Sequence, residues 1–170
     1  MRPILFATAL ITLAAPALAQ SQPAPAPATP APPPPPAPYG MPIGYDTARL
    51  AVDAALAEAR RNGWKVAITV VEPSGEIVAF AKDEGTGYAA VPVSMDKART
   101  AARFGRETRA FAEGFNAGRL WPLVVDGMVP VEGGHPIVIG GRTVGAIGVS
   151  GASAAQDGQV ARAGATAVAL

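Results

Sequence analysis

The chain contains no cysteine and only one histidine. Without cysteine there is no disulfide, no thiolate metal site and no cysteine nucleophile, so the hydrophobic core must hold the fold alone. Charge is sparse, with 16% charged residues and a formal net charge of +1, which leaves no footprint for nucleic acid. Long apolar runs are missing too. The stretch from Ile4 to Leu13 is too short for a permanent membrane helix, which needs roughly 20 apolar residues.

That short run has another use. Arg2 supplies a positive start, and Ala17-Leu18-Ala19 gives the small-x-small pattern before a cleavage point. Residues 1–19 are therefore expected to be a cleavable signal peptide, which places the mature chain in the periplasm or outside the cell with no transmembrane segment. Residues 20–43 then hold eleven prolines among Ala, Gln and Ser. Such a segment has few ladder donors and little to bury, so 20–44 is expected to be a disordered, polyproline-like tether. About 126 residues remain, Tyr45 to Leu170, enough for one domain with one core. Many of its apolar residues are Ala and Val, small enough for close helix packing and flat subunit contacts.

Within the domain, Ala48, Val52, Ala55, Leu56 and Ala59 recur at helical spacing, and Asn62-Gly63 stops the helix. Asp46 is expected to be its N-cap, with Tyr45 and Leu50 forming a hydrophobic staple. Lys65–Val71 and Ile77–Lys82 flank a Pro73-Ser74-Gly75 turn and form a hairpin. A second helix runs from about Pro92 to Phe104 and ends at Gly105, and a short third helix carries Phe111 and Phe115. Ile137–Ile139, the Gly140-Gly141 turn and Thr143–Val149 make a second hairpin. Ser153 caps a last helix over about 154–168, with Asp157 in its first turn. The order gives an α+β fold on an antiparallel sheet.

Seven of the nineteen glycines fall within residues 130–153, together with His135. The spacing fits no phosphate-binding loop. Gly145, Gly148 and Gly151 stand three apart in a strand, which suggests tight packing against a neighbouring subunit or a flat ligand. His135 follows Gly133-Gly134 and precedes Pro136, in an extended segment. One histidine is too few for a zinc centre, yet one axial imidazole suffices for a haem iron. A surface or packed histidine is the competing reading. Arg99, Arg103 and Arg106 form a basic row that either meets carboxylates, haem propionates included, or is a solvated helix face. Asp83-Glu84, Met95 and Met128 read as a solvated pair and core filler, and Ser150 and Ser153 lack a nucleophile context.

Taken together, several strings resemble the GlcG/HbpS-like haem-binding family, also called the haem-degrading domain family. They are Val70-Val-Glu-Pro-Ser-Gly75, Lys97-Ala-Arg-Thr-Ala101 with Phe104, Gly133-Gly-His-Pro136, and Val144-Gly-Ala-Ile-Gly-Val-Ser-Gly151 followed by Asp157 and Ala161. The likeness runs from about residue 47 to 168. It implies a profilin-like fold with a five-stranded antiparallel sheet, a homo-oligomer, and haem or a related tetrapyrrole as ligand. On that resemblance His135 becomes a candidate axial ligand of the haem iron. Lys97, Thr100, Arg103, Gly133 and Gly134 become candidate site residues, although Lys97 and Thr100 read equally well as buried hydrogen-bonding groups that fix the fold. Two other readings stand beside haem binding. One is a non-catalytic, homo-oligomeric accessory module of small organic acid metabolism. The other is an enzyme on a small organic acid or aldehyde, with Lys97 as cation or base. The chain departs from the family pattern at Glu72, where Asp is usual, and at Lys82-Asp-Glu-Gly85, which replaces Arg-x-Asp-Gly.

Overall fold

The computed structural model describes residues 34–169. The expected signal peptide and the first part of the proline-rich segment lie outside the described residues. The elements run α1 (Tyr45–Arg61), β1 (Ala67–Val71), β2 (Ile77–Lys82), α2 (Ala90–Phe104), α3 (Thr108–Asn116), a 3-10 turn (Trp121–Val124), β3 (Gly134–Ile139), β4 (Arg142–Ser150) and α4 (Ala154–Ala167). No helix among the described residues is long and apolar enough to cross a membrane.

Both hairpins form, and β1 and β4 pair antiparallel to give one sheet in the order β2-β1-β4-β3. Side chains alternate across a strand, so each central strand feeds two layers. Ile68, Val70, Ile147 and Val149 face α1 and α4, and join Ala51, Ala55, Val160 and Ala161 in the larger core. Val71 and Ala146 point the other way, onto Ala98, Ala101 and Ala102 of α2. Burial on both faces explains why β1 is apolar at four of its five positions.

The sheet has four strands, not the five that the family resemblance implied. The stretch that had to supply another strand carries Gly118, Pro122, Gly127, Pro130 and Gly133. All three glycines take positive φ and the prolines cannot donate to a ladder, so the chain there turns instead of extending. The first helix also starts earlier than expected. Gly44 occupies the N-cap position, Asp46 lies inside the first turn, and no side chain caps the end. Tyr45 and Leu50 are both exposed, so the expected staple does not form. Elsewhere the local signals act as read. Gly105 closes α2 in the left-handed region, and Ser153 with Gln156 makes a full capping box on α4.

The strand glycines pack within the chain itself. A Cβ on Gly148 would lie 2.1 Å from the Ser94 carbonyl oxygen and 2.4 Å from the Ala98 nitrogen. Gly148 is therefore what lets α2 lie directly on the sheet. Beside it, the buried Thr69 and Ser94 hydroxyls meet at 2.8 Å and satisfy each other.

Candidate ligand site

Lys97, Ser94, Ala98 and Ala101 share one helical stripe of α2, so Lys97 is carried into the interior with its alanine neighbours. Its ammonium donates to Asp157 Oδ2 at 2.8 Å and to the Val149 carbonyl at 3.0 Å. The two side chains are 2% and 3% exposed, so this is a sealed ion pair. Asp157 Oδ1 accepts from the Ala152 N–H at 3.0 Å. Burial pushes the Asp157 carboxyl above its ordinary range, against the pull of Lys97 and of the Ala152 and Gly151 amides. The pair joins α2, β4 and α4, and every Lys97 contact is internal.

The glycine pair explains how the following loop covers this ion pair. A Cβ on Gly133, at φ 130°, would lie 2.7 Å from Lys97 Nζ and 2.6 Å from the Val149 carbonyl oxygen. One on Gly134 would lie 2.4 Å from the Lys97 carbonyl oxygen. The Gly134 N–H donates to the Thr108 hydroxyl at 2.8 Å, which ties the loop to α3. Thr100 does similar work one turn along α2. Its hydroxyl donates to the Asp96 carbonyl at 2.8 Å and accepts from the Val129 N–H at 3.0 Å, which positions the loop ahead of β3.

His135 stands apart from this interior group, at the start of β3 and opposite Ile147 of β4. Its side chain is 22% exposed. Nδ1 lies 2.9 Å from the Pro136 carbonyl oxygen and Nε2 lies 3.1 Å from Glu107 Oε1. Arg162 of α4 holds the other Glu107 oxygen at 3.3 Å. Glu107 is the residue just before α3, so β3, α3 and α4 meet at this carboxylate. Neither Glu107 nor Arg162 stood out in the sequence. They lie 28 and 27 positions from His135, with no motif spacing to connect them.

A cleft of about 690 Å³ lies beside the same helix, between α3, the 130–132 loop and the first turn of α4. Phe115, Pro130 and Val131 give it apolar walls; Arg109, Glu113 and Glu132 give it charge. Arg109 donates to Glu113 at 2.8 Å, and Glu113, Glu132 and Glu107 together hold its guanidinium above its ordinary value. His135, Lys97, Thr100 and Arg103 do not line this cleft.

The basic row of Arg99, Arg103 and Arg106, the last beyond the end of α2, does not converge. Arg99 donates to the Gly75 carbonyl at 3.2 Å and Arg106 to the Pro34 carbonyl at 3.4 Å. Arg103 is exposed beside Gly127, with no ion-pair partner among the described residues. Asp83 is buried against Arg60 and Lys65, at 3.0 and 3.3 Å, and so is not the solvated carboxylate expected beside Glu84. No group of three or more metal-ligating side chains occurs among the described residues.

The site holds a part-buried imidazole with an adjoining carboxylate and arginine, and a partly apolar cleft lies beside α3. The family described as "Haem degrading protein HbpS-like" matches residues 43–166, and the chain belongs to that family. Protein GlcG of Escherichia coli K12 is 38% identical over 103 residues, spanning 61% of this chain and 77% of that protein. A crystal structure of HbpS from Streptomyces reticuli with two glutamate-to-aspartate changes is 29% identical. It superposes with a TM-score of 0.70 over 84% of this chain and 97% of that one. A PduOC–heme complex superposes with a TM-score of 0.68 over 75% of this chain and 95% of that one. At 20% identity that likeness speaks for the fold alone.

Proposed function

We propose that this chain is an exported protein that binds haem or a related tetrapyrrole, in sequestration, sensing or degradation, with His135 as the nitrogen offered to the iron. The observation that carries the reading is the setting of that imidazole. Metal-binding histidines commonly donate the ring N–H not used for the metal to a backbone carbonyl. Here Nδ1 faces the Pro136 carbonyl, which leaves Nε2 as the ligating nitrogen. Nε2 lies 3.1 Å from Glu107 Oε1, on a side chain that is part-buried. To ligate, His135 must release Glu107, which keeps its bond to Arg162. The cleft beside α3, which His135 does not line, falls within the 300 to 1,000 Å³ range of cofactor sites. Its Phe115, Pro130 and Val131 walls suit a flat apolar ring, while its Arg109 is already paired with Glu113. Bound haem would bring a redox-active iron.

Lys97, Thr100, Gly133 and Gly134 act here from beneath, by fixing the loop that presents His135. The family match supports the reading. Signal-peptide processing and homo-oligomer formation belong to the same proposal.

The test is a haem titration of residues 20–170 read by absorbance, beside His135→Ala. A saturable Soret shift at one haem per protomer that changes in the variant supports the assignment. Binding unchanged in the variant keeps haem and removes His135. No saturable binding rejects haem and favours the accessory-module reading. Export is tested separately by fractionating cells that express the tagged full chain. A shortened product outside the cytoplasm supports it, and a full-length cytoplasmic product rejects it.

A further inference from the structure

The last ten residues before Gly44 lie along the folded body as an extended strap. Thr143 of β4 receives most of it. Its N–H donates to the Pro38 carbonyl at 2.8 Å, its hydroxyl to the Ala37 carbonyl at 3.2 Å, and its carbonyl accepts from the Gly40 N–H at 2.9 Å. The Ile43 N–H then donates to the Val144 carbonyl at 2.8 Å. Tyr39 and Thr143 form a parallel bridge.

The strap begins where β1 stops. The last β1 pairing on β4 is Val71 with Ala146, so on that side residues 142–145 would otherwise present an open edge. The strap also closes the end of α2. The Tyr39 hydroxyl lies 2.9 Å from the Ala102 carbonyl oxygen and 2.8 Å from that of Arg103, two acceptors at a helix end that lacks further donors. Pro36 sits over Gly105, where a Cβ would come within 2.9 Å of it. Thr143 is fully buried beneath these contacts.

An unpaired strand edge is a template for another chain. The strap fills this one with a segment poor in donors for a further strand. Five of its ten residues are proline, and proline has no N–H for a next strand. We propose that residues 34–43 are an edge guard. They occupy in cis the half-strand of β4 that an extended segment of a second copy of this chain would otherwise pair with. This inference does not depend on haem binding.

Amide hydrogen exchange and sedimentation velocity on the full chain test it, with Tyr39→Phe as a mild variant and Gly40→Val as a strong one. A Cβ at position 40 would lie 2.9 Å from Arg142 Cβ, so valine drives the strap off. The expected result is slow exchange at the Gly40, Ile43 and Thr143 amides of the natural chain. Exchange there should be about fivefold faster in Tyr39→Phe, the factor one hydrogen bond is worth, with β1–β4 amides unchanged. Gly40→Val should exchange freely at the three amides and form species larger than the natural assembly, growing with concentration. Unprotected amides in the natural chain overturn the proposal, as does protection unchanged in both variants. So does a freed strap in Gly40→Val with unchanged sedimentation.

Discussion

Removing either half of the Lys97–Asp157 pair leaves a charge in the interior with no counterion. The two side chains are 2% and 3% exposed and 2.8 Å apart, so water cannot replace the lost partner. Breaking a buried pair from one side costs about 3–5 kcal/mol, whereas replacing both members with apolar groups is often close to neutral. A domain of this size has only about 5–15 kcal/mol in total. Lys97→Met and Asp157→Leu should therefore each lower the urea midpoint severely, and the double variant should recover most of the loss. The pH dependence separates this from loss of packing. Burial already raises the folded Asp157 pKa above its unfolded value, and Lys97→Met removes the strongest opposing pull. A raised acid pKa gives stability that is present at low pH and lost as pH rises through the folded value. Lys97→Met should thus approach the natural protein's stability on acidification and fall furthest below it at alkaline pH. The assay is urea unfolding followed by tryptophan fluorescence across pH, at fixed protomer concentration. Single variants costing under about 1 kcal/mol, or a double variant as poor as the sum of the singles, would refute a sealed, mutually dependent pair.

Other outcomes follow from the same geometry. Gly148→Ala sets a Cβ against the Ser94 and Ala98 backbone, which no rotamer change relieves; a loss of about 1–3 kcal/mol or more is expected in thermal unfolding. Ser153→Ala breaks the capping box on α4 and should cost about 1 kcal/mol by the same measurement. Arg60, and then Lys65, hold the Asp83 carboxyl below its ordinary range. That contribution is present above the unfolded pKa and lost as pH falls through the depressed one. Asp83→Asn should accordingly flatten the acid limb of the stability profile, measured as Tm against pH.

Signals that act over a few residues were legible. Gly105, Gly140-Gly141 and Ser153 ended, turned and started elements where the sequence placed them, because each acts through its own backbone or a near neighbour. Contacts between distant residues were not. Lys97 was singled out, yet its partner lies 60 positions away, and only the packing of α2 against α4 makes the two an ion pair. Glu107 and Arg162 complete the surroundings of His135 from two other helices. The proline-rich composition gave residues 34–43 the look of a spacer, and the hydrogen bonds from Thr143 and Tyr39 that hold them depend on tertiary structure. At the start of α1, Asp46 had the right chemistry for a cap but lies two residues inside one.

The central claim is that His135 Nε2 is a ligand site held in reserve by Glu107. Haem titrations of the natural chain, His135→Ala and Glu107→Gln, run side by side, test it most directly. Glutamine removes the charge that engages Nε2, so Glu107→Gln should bind haem more tightly than the natural chain, with the same Soret position, while His135→Ala binds weakly or with a shifted band. Equal affinity and identical spectra in all three would contradict the claim and take the iron away from His135.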